Sequence, residues 1–156
     1  MFDAPREFVF QAWSDAAHLS RWFAPNGCTI TFKKLDFRKG GTIHSCIHTP
    51  DGYECWCVGE YIEITPNERI VYTMAIADAA GNRVSAADRG IDPAWPEETV
   101  LTVTFKDIDG RTELTLRQTV GEALAKRTGA HPSWLQMLDR LDADLAKTLN
   151  ELWEKA

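Results

Sequence analysis

The sequence predicts an α+β fold in which an antiparallel sheet of six strands packs against one long C-terminal helix, with two short helices near the N-terminus. Three observations predict it. Apolar spacing is helical at the start of the chain, changes to a period of two from Cys28, and returns to steps of three and four after His131. The strand-like runs are separated by "TPDG", "TPNE" and "DIDG", turn words that suit hairpins between antiparallel neighbours. The last segment carries its apolar residues on one stripe, which has no partner except the sheet.

The elements follow in order. In "DAPREFVFQAW", Pro5 falls in a first helical turn after Asp3, and Phe8, Val9 and Ala12 recur at helical spacing over roughly residues 5 to 13. Ser14 fits the N-cap of a second helix, Asp15 favours the positive end of its dipole, and Leu19, Trp22 and Phe23 form its apolar face. Cys28, Ile30 and Phe32 then alternate with Thr29, Thr31 and Lys33, the pattern of a strand wetted on one face. Further strands are expected over residues 42 to 49, 53 to 64, 68 to 77, 98 to 106 and 111 to 119. In the last two, Leu101, Val103, Phe105, Leu114 and Leu116 point one way, while Thr102, Thr104, Glu113, Thr115 and Arg117 point the other. The final helix carries Trp134, Leu138, Leu141, Leu145, Leu149 and Leu152 on its stripe, behind Ser133 as cap. One stretch, "DAAGNRVSAADRGIDPAWPE", has no clear period; such a loop is a lid or a floppy crossover, and its Trp95 and Ile91 have reason to dock.

Composition bounds the function. A chain of 156 residues fits one domain over 1–156, and 44% hydrophobic against 26% charged residues describes a chain with a core. The net charge of −6, with no basic run longer than Lys33 and Lys34, gives no footprint for nucleic acid or anionic lipid. No apolar run approaches the ~20 residues of a spanning helix and no signal-peptide pattern opens the chain, so a cytoplasmic protein without a membrane partner is expected. There its four cysteines remain thiols.

The stretch "GGTIHSCIHTPDGYECWCVG" crowds His44, Cys46, His48, Cys55 and Cys57 around one turn, a composition that suggests soft metal ligands. Turn chemistry argues against a site. Pro50 and Gly52 favour a three-residue loop pairing Thr49 with Tyr53, so Ile47 faces Cys55 and Ser45 faces Cys57. His48 then faces Glu54 and Cys46 faces Trp56 on the opposite side, and the cluster splits. A two-residue loop on Asp51 and Gly52 would instead unite all five, but neither C-x-C nor H-x-C-x-H has common zinc spacing. No metal or cofactor is expected. The split places Cys55 and Cys57 on the inner face with Ile43, Ile47 and Tyr61, with no neighbouring cation in the sequence to activate them.

With those elements in order, "APREFVFQAWSD", "RWFAPNG", "RKGGTIHSCIHTPDG", "GEYIEITPNERIVYT" and "SWLQMLDRLDADL" resemble the helix-grip superfamily called SRPBCC, or START-like. More closely, they resemble the bacterial homologues of the activator of the ninety-kilodalton heat-shock-protein ATPase. The resemblance covers nearly the whole chain. It implies a curved sheet, of up to seven strands, gripping the last helix around a mostly apolar cavity, with no shared catalytic constellation. Members usually have a full strand ahead of "APRE", where only Met1, Phe2 and Asp3 stand here. The strand at 111 to 119 would then be an edge, so the expectation is either that the sequence is trimmed ahead of Met1 or that a second copy pairs there in a homodimer.

Three functions follow as expectations. The first is a non-enzymatic carrier or sensor of a hydrophobic small molecule held between the last helix and the concave sheet face. Trp22, Phe32, Ile43, Ile47, Cys55, Cys57, Tyr61, Tyr72, Met74, Trp95, Trp134, Met137 and Leu141 are its candidate lining. The second is a cyclase- or hydrolase-like enzyme, with Glu63 as an acid or base beside Tyr72 if it points inward. A bulge at Gly59 would turn Glu63 to water instead. The third is a chaperone partner, with an exposed Trp56 on the outer face as the best local anchor.

Overall fold

The computed structural model describes the backbone of residues 1–155 and the side chains through residue 151. Its strands are β1 (Thr29–Leu35), β2 (Thr42–His48), β3 (Glu54–Thr65), β4 (Arg69–Ala77), β5 (Thr99–Ile108) and β6 (Arg111–Gln118). They form one antiparallel sheet in chain order, as consecutive hairpins require. The helices are α1 (Arg6–Gln11), α2 (Ala16–Leu19), α3 (Glu122–Thr128) and α4 (Ala130–Lys155).

Local chemistry corrects two of the expected caps. Asp15, not Ser14, caps α2, its carboxylate accepting from the His18 amide. Ser14 donates its hydroxyl back to the Gln11 carbonyl instead, at 2.6 Å, closing the turn after α1. Ser133 is not the cap of α4, because its amide already donates to the Gly129 carbonyl as part of the first turn. Gly129, at φ +84°, ends α3 and lets α4 start immediately, a step that a side chain would strain. The sequence reading did not anticipate α3, although Gly121, Glu122 and the Lys126–Arg127 pair are ordinary start and stop signals.

The sheet's inner face meets α4 and the N-terminal helices in one core. Met137, Leu141 and Leu145 of α4 are buried there with Leu101, Val103 and Phe105, while Leu114, Leu116, Trp134, Leu138 and Leu149 pack half-buried around them. The Leu152 side chain, expected on the same stripe, lies outside the described residues. Trp22 is fully buried and donates its indole N–H to the Ala12 carbonyl at 3.0 Å, tying the end of α2 to that of α1. Phe2 exchanges both backbone hydrogen bonds with Thr112, at 2.7 and 3.0 Å, on the side of β6 away from β5.

Two bulges set which residues face inward. The β1–β2 register slips between Phe32 and Lys34, and the β3–β4 register slips between Tyr61 and Glu63. Ile62, the extra residue, is 46% exposed, Ile64 rejoins the core, and Glu63 turns to the surface.

Candidate functional site

The β2–β3 hairpin has the register that its turn chemistry predicts. Ser45 pairs with Cys57 and Ile47 with Cys55, while Cys46 pairs with Trp56 and His48 with Glu54. The Thr49 amide donates to the Tyr53 carbonyl at 3.0 Å across a loop closed by Gly52 at φ +88°. The soft side chains are therefore divided between two faces.

The outer face differs from expectation. Trp56 is 9% exposed rather than open to solvent, and it forms a small second cluster with the fully buried Cys46 and Ala77. Segment 78–91 folds back over this face of the sheet and holds the residues that surround Trp56. Lys33 donates to the Ala79 carbonyl at 2.6 Å, and the Tyr53 hydroxyl donates to the Arg89 carbonyl at 2.7 Å. The His44 Nε2 lies 3.1 Å from the Asp78 carbonyl. Lys33 also sits 4.9 Å over the Trp56 ring, and the His44 ring centroid is 5.1 Å from it. The long loop is thus neither a lid nor a floppy crossover in this part.

The inner face holds the cavity. Phe32 and Leu35 come from β1, Ile43 and Ser45 from β2, Tyr61 from β3, and Ile70, Tyr72 and Met74 from β4. Trp13, Leu19 and Phe23, from α2 and the turns beside it, close the other side. The free volume is about 30 Å³, within a recess of about 390 Å³ once its mouth toward solvent is counted. The smaller figure measures what the resting protein encloses, and it admits a water molecule or two.

Sequence reasoning named Phe32, Ile43, Tyr61, Tyr72 and Met74, and the structure brings these together around the cavity. Trp22, Met137 and Leu141 lie in the solid core, with Trp134 packed against it. The space is therefore bounded by the N-terminal helical region rather than by α4, whose buried residues belong to the core. Ile47, Cys55 and Cys57 share the inner face beyond the cavity wall, and Trp95 is half-buried in its loop. Trp13, Leu19, Phe23, Leu35, Ser45 and Ile70 also line the cavity. Ile70 was legible from its alternation with Tyr72 and Met74, but Trp13 and Phe23 carry no signal that separates them from ordinary core.

No charged side chain lines this space. Burial pushes the phenols of Tyr61 and Tyr72 well above their ordinary range, so both stay protonated. The Tyr72 hydroxyl and the Trp13 indole N–H are buried without a hydrogen-bond partner among the described residues. Glu63, the carboxylate that the enzyme reading needed, instead pairs with Arg69 at 2.9 Å on the surface. Cys55 has an environment of its own. A hydrogen bond from the Cys57 thiol, opposed by burial and aided by nearby Arg89, lowers it to about 7, while Cys57 is pushed up. The loop supplies that cation: Arg89 Nη2 donates to the Glu54 carbonyl at 3.3 Å.

A curved antiparallel sheet packed on a long helix, with a small uncharged cavity on its inner face, defines a helix-grip protein of the SRPBCC, or START-like, class. The family model described as "Activator of Hsp90 ATPase homolog 1-like protein" matches residues 3–146, and the chain belongs to that family. A crystal structure of a protein from Chromobacterium violaceum is similar at 26% identity and a TM-score of 0.76, covering 92% of this chain and 91% of that one. A solution structure from Arthrobacter aurescens has 23% identity and a TM-score of 0.80, over 94% and 82% of the two chains. The AHSA1 protein of Silicibacter pomeroyi has 21% identity and a TM-score of 0.73, over 94% of each. No curated protein matches the chain. No helix among the described residues is long and apolar enough to cross a membrane.

Proposed function

We propose that the protein is a non-enzymatic carrier or sensor of an apolar small molecule, held between the concave sheet face and the N-terminal helical region. The observation that carries this is an inner-face cavity lined only by uncharged side chains, in a domain whose charged residues lie elsewhere. Its resting volume of about 30 Å³ means that a ligand enters by displacing side chains, not by filling a preformed hole. Phe32, Leu35, Ile43 and Met74 are only half-buried and stand at that recess, so they are the ones to move. Methionine's unbranched chain suits it to such repacking.

The reaction-bearing alternative loses its carboxylate to the Glu63–Arg69 pair. The chaperone alternative, suggested by the family's name, loses its local anchor to the packing around Trp56. The test is titration with N-phenyl-1-naphthylamine, a neutral fluorophore that brightens in apolar surroundings, alongside native mass spectrometry of protein purified from its own host. Saturable one-to-one binding and an organic adduct lost on denaturation are expected. A dark titration together with a clean native mass sinks the proposal.

A further inference from the structure

Two residues that line the cavity carry donors without partners, and such buried donors are uncommon enough to need a reason. Trp13 is 3% exposed and Tyr72 is 4% exposed; both line the cavity, and neither the indole N–H nor the phenol O–H has an acceptor among the described residues. Neighbouring polar side chains behave differently. Trp22 reaches the Ala12 carbonyl, and Trp134 reaches Gln118 Oε1 at 3.2 Å. The two exceptions thus both fall on residues that line this cavity.

Their settings hold them in place. Trp13 lies stacked near Trp134, with ring centroids 6.4 Å apart, and edge-on to Trp22 at 4.7 Å. Tyr72 is paired across the sheet with Tyr61. Neither ring can swing its polar atom to solvent without breaking that packing. The Tyr72 proton stays in place because burial, with Tyr61 and Cys57 nearby, pushes its phenol far above the ordinary range.

Resting on the carrier proposal, we propose that the cavity's ligand is a neutral apolar molecule bearing a carbonyl oxygen, which accepts a hydrogen bond from Tyr72 Oη. A charged group is disfavoured because the lining offers no counter-ion to offset its desolvation. A pure hydrocarbon would leave the Tyr72 hydroxyl unsatisfied, which is the larger cost in a buried site.

The experiment compares 1-tetralone with tetralin, two bicyclic molecules of nearly the same shape that differ in the carbonyl, as displacers of N-phenyl-1-naphthylamine. The expected result is a preference for the ketone of about tenfold or more. In Tyr72→Phe that preference shrinks severalfold while tetralin affinity is kept. Equal affinities in the native protein leave the carrier proposal standing and overturn this one. Failure of both compounds and of the fluorophore overturns the carrier proposal, and this inference with it. A ligand-free control guards against a trapped water as the true partner. If the hydroxyl is unsatisfied at rest, Tyr72→Phe melts at the same temperature as the native protein or higher. A fall of more than about 3 °C shows the hydroxyl already bonded and overturns the inference.

Discussion

Arg140 of α4 donates through Nη1 to the Ala24 carbonyl at 2.5 Å, which fixes the last helix to the chain segment between α2 and β1. The same guanidinium reaches the Pro25 and Cys28 carbonyls at 3.4 Å and, through Nη2, the Arg21 carbonyl at 3.3 Å. These carbonyls converge after a four-residue helix, where backbone acceptors have no intrahelical donors. A planar fork with five N–H groups suits such a cluster better than any other side chain.

Replacing Arg140 with Met keeps much of the stem's packing and removes the fork. The expected cost is about 2 kcal/mol, the scale of hydrogen bonds to a charged group. Arg140→Lys recovers only part of it, because a single ammonium cannot span the set. Urea denaturation of the three proteins checks the order; equal stability of Met and native forms would show the clamp to be inert.

Gly59 faces the β4 backbone with no room for a side chain. A Cβ there would meet the Thr73 carbonyl oxygen at 1.9 Å, a backbone atom that cannot step aside without parting the strands. Gly59→Ala is therefore expected to destabilise by about 3 kcal/mol, the upper end of overpacking costs. Thermal melting measures it, and a near-native midpoint refutes the close approach.

Cys55 is expected to alkylate with a pH midpoint near 7, against about 9 for an ordinary thiol. Its largest cause is the hydrogen bond from Cys57, so Cys57→Ala moves the midpoint back up. Iodoacetamide rates followed by peptide mass measurement test both. The stability consequence has a definite sign. Because the folded pKa is depressed, stability contributed by Cys55 rises from pH 7 to 9 and is lost below about 7. Cys57, raised above 9, subtracts stability once pH passes that value.

Glu63→Gln breaks an ion pair whose members are each about half exposed, 47% and 49%. The expected change in stability is under about 0.5 kcal/mol, and fluorophore binding is unchanged. A loss of binding in this variant would return the carboxylate to the ligand and revive an acid–base role.

The hairpin was legible because local chemistry decides it. Pro50 and Gly52 set the loop, the loop sets the register, and a period of two carries that register along both strands. Three strand pairings were legible for a similar reason, since "TPDG", "TPNE" and "DIDG" each close a hairpin, whereas the long segment between β4 and β5 carries no such signal. Glu63 was not, because its direction depends on whether an extra residue is accommodated before or after Tyr61, and the partner strand decides that. Trp56 was misread because its cover comes from residues more than twenty positions away.

The sequence by itself determined the alternation of elements and the splitting of the cysteines and histidines, which follow from periodicity and short-range turn geometry, while the family's fold came from the resemblance of its motifs. Only the tertiary structure decided where the unfilled space lies. Whether Leu141 or Tyr72 borders a void depends on how closely side chains from separate elements fit, and that fit has no periodic trace in the chain. The helix stripe joined the core, and the gap fell between the sheet and Trp13, Leu19 and Phe23, lined by two residues whose donors' lack of partners emerges only when the elements are assembled.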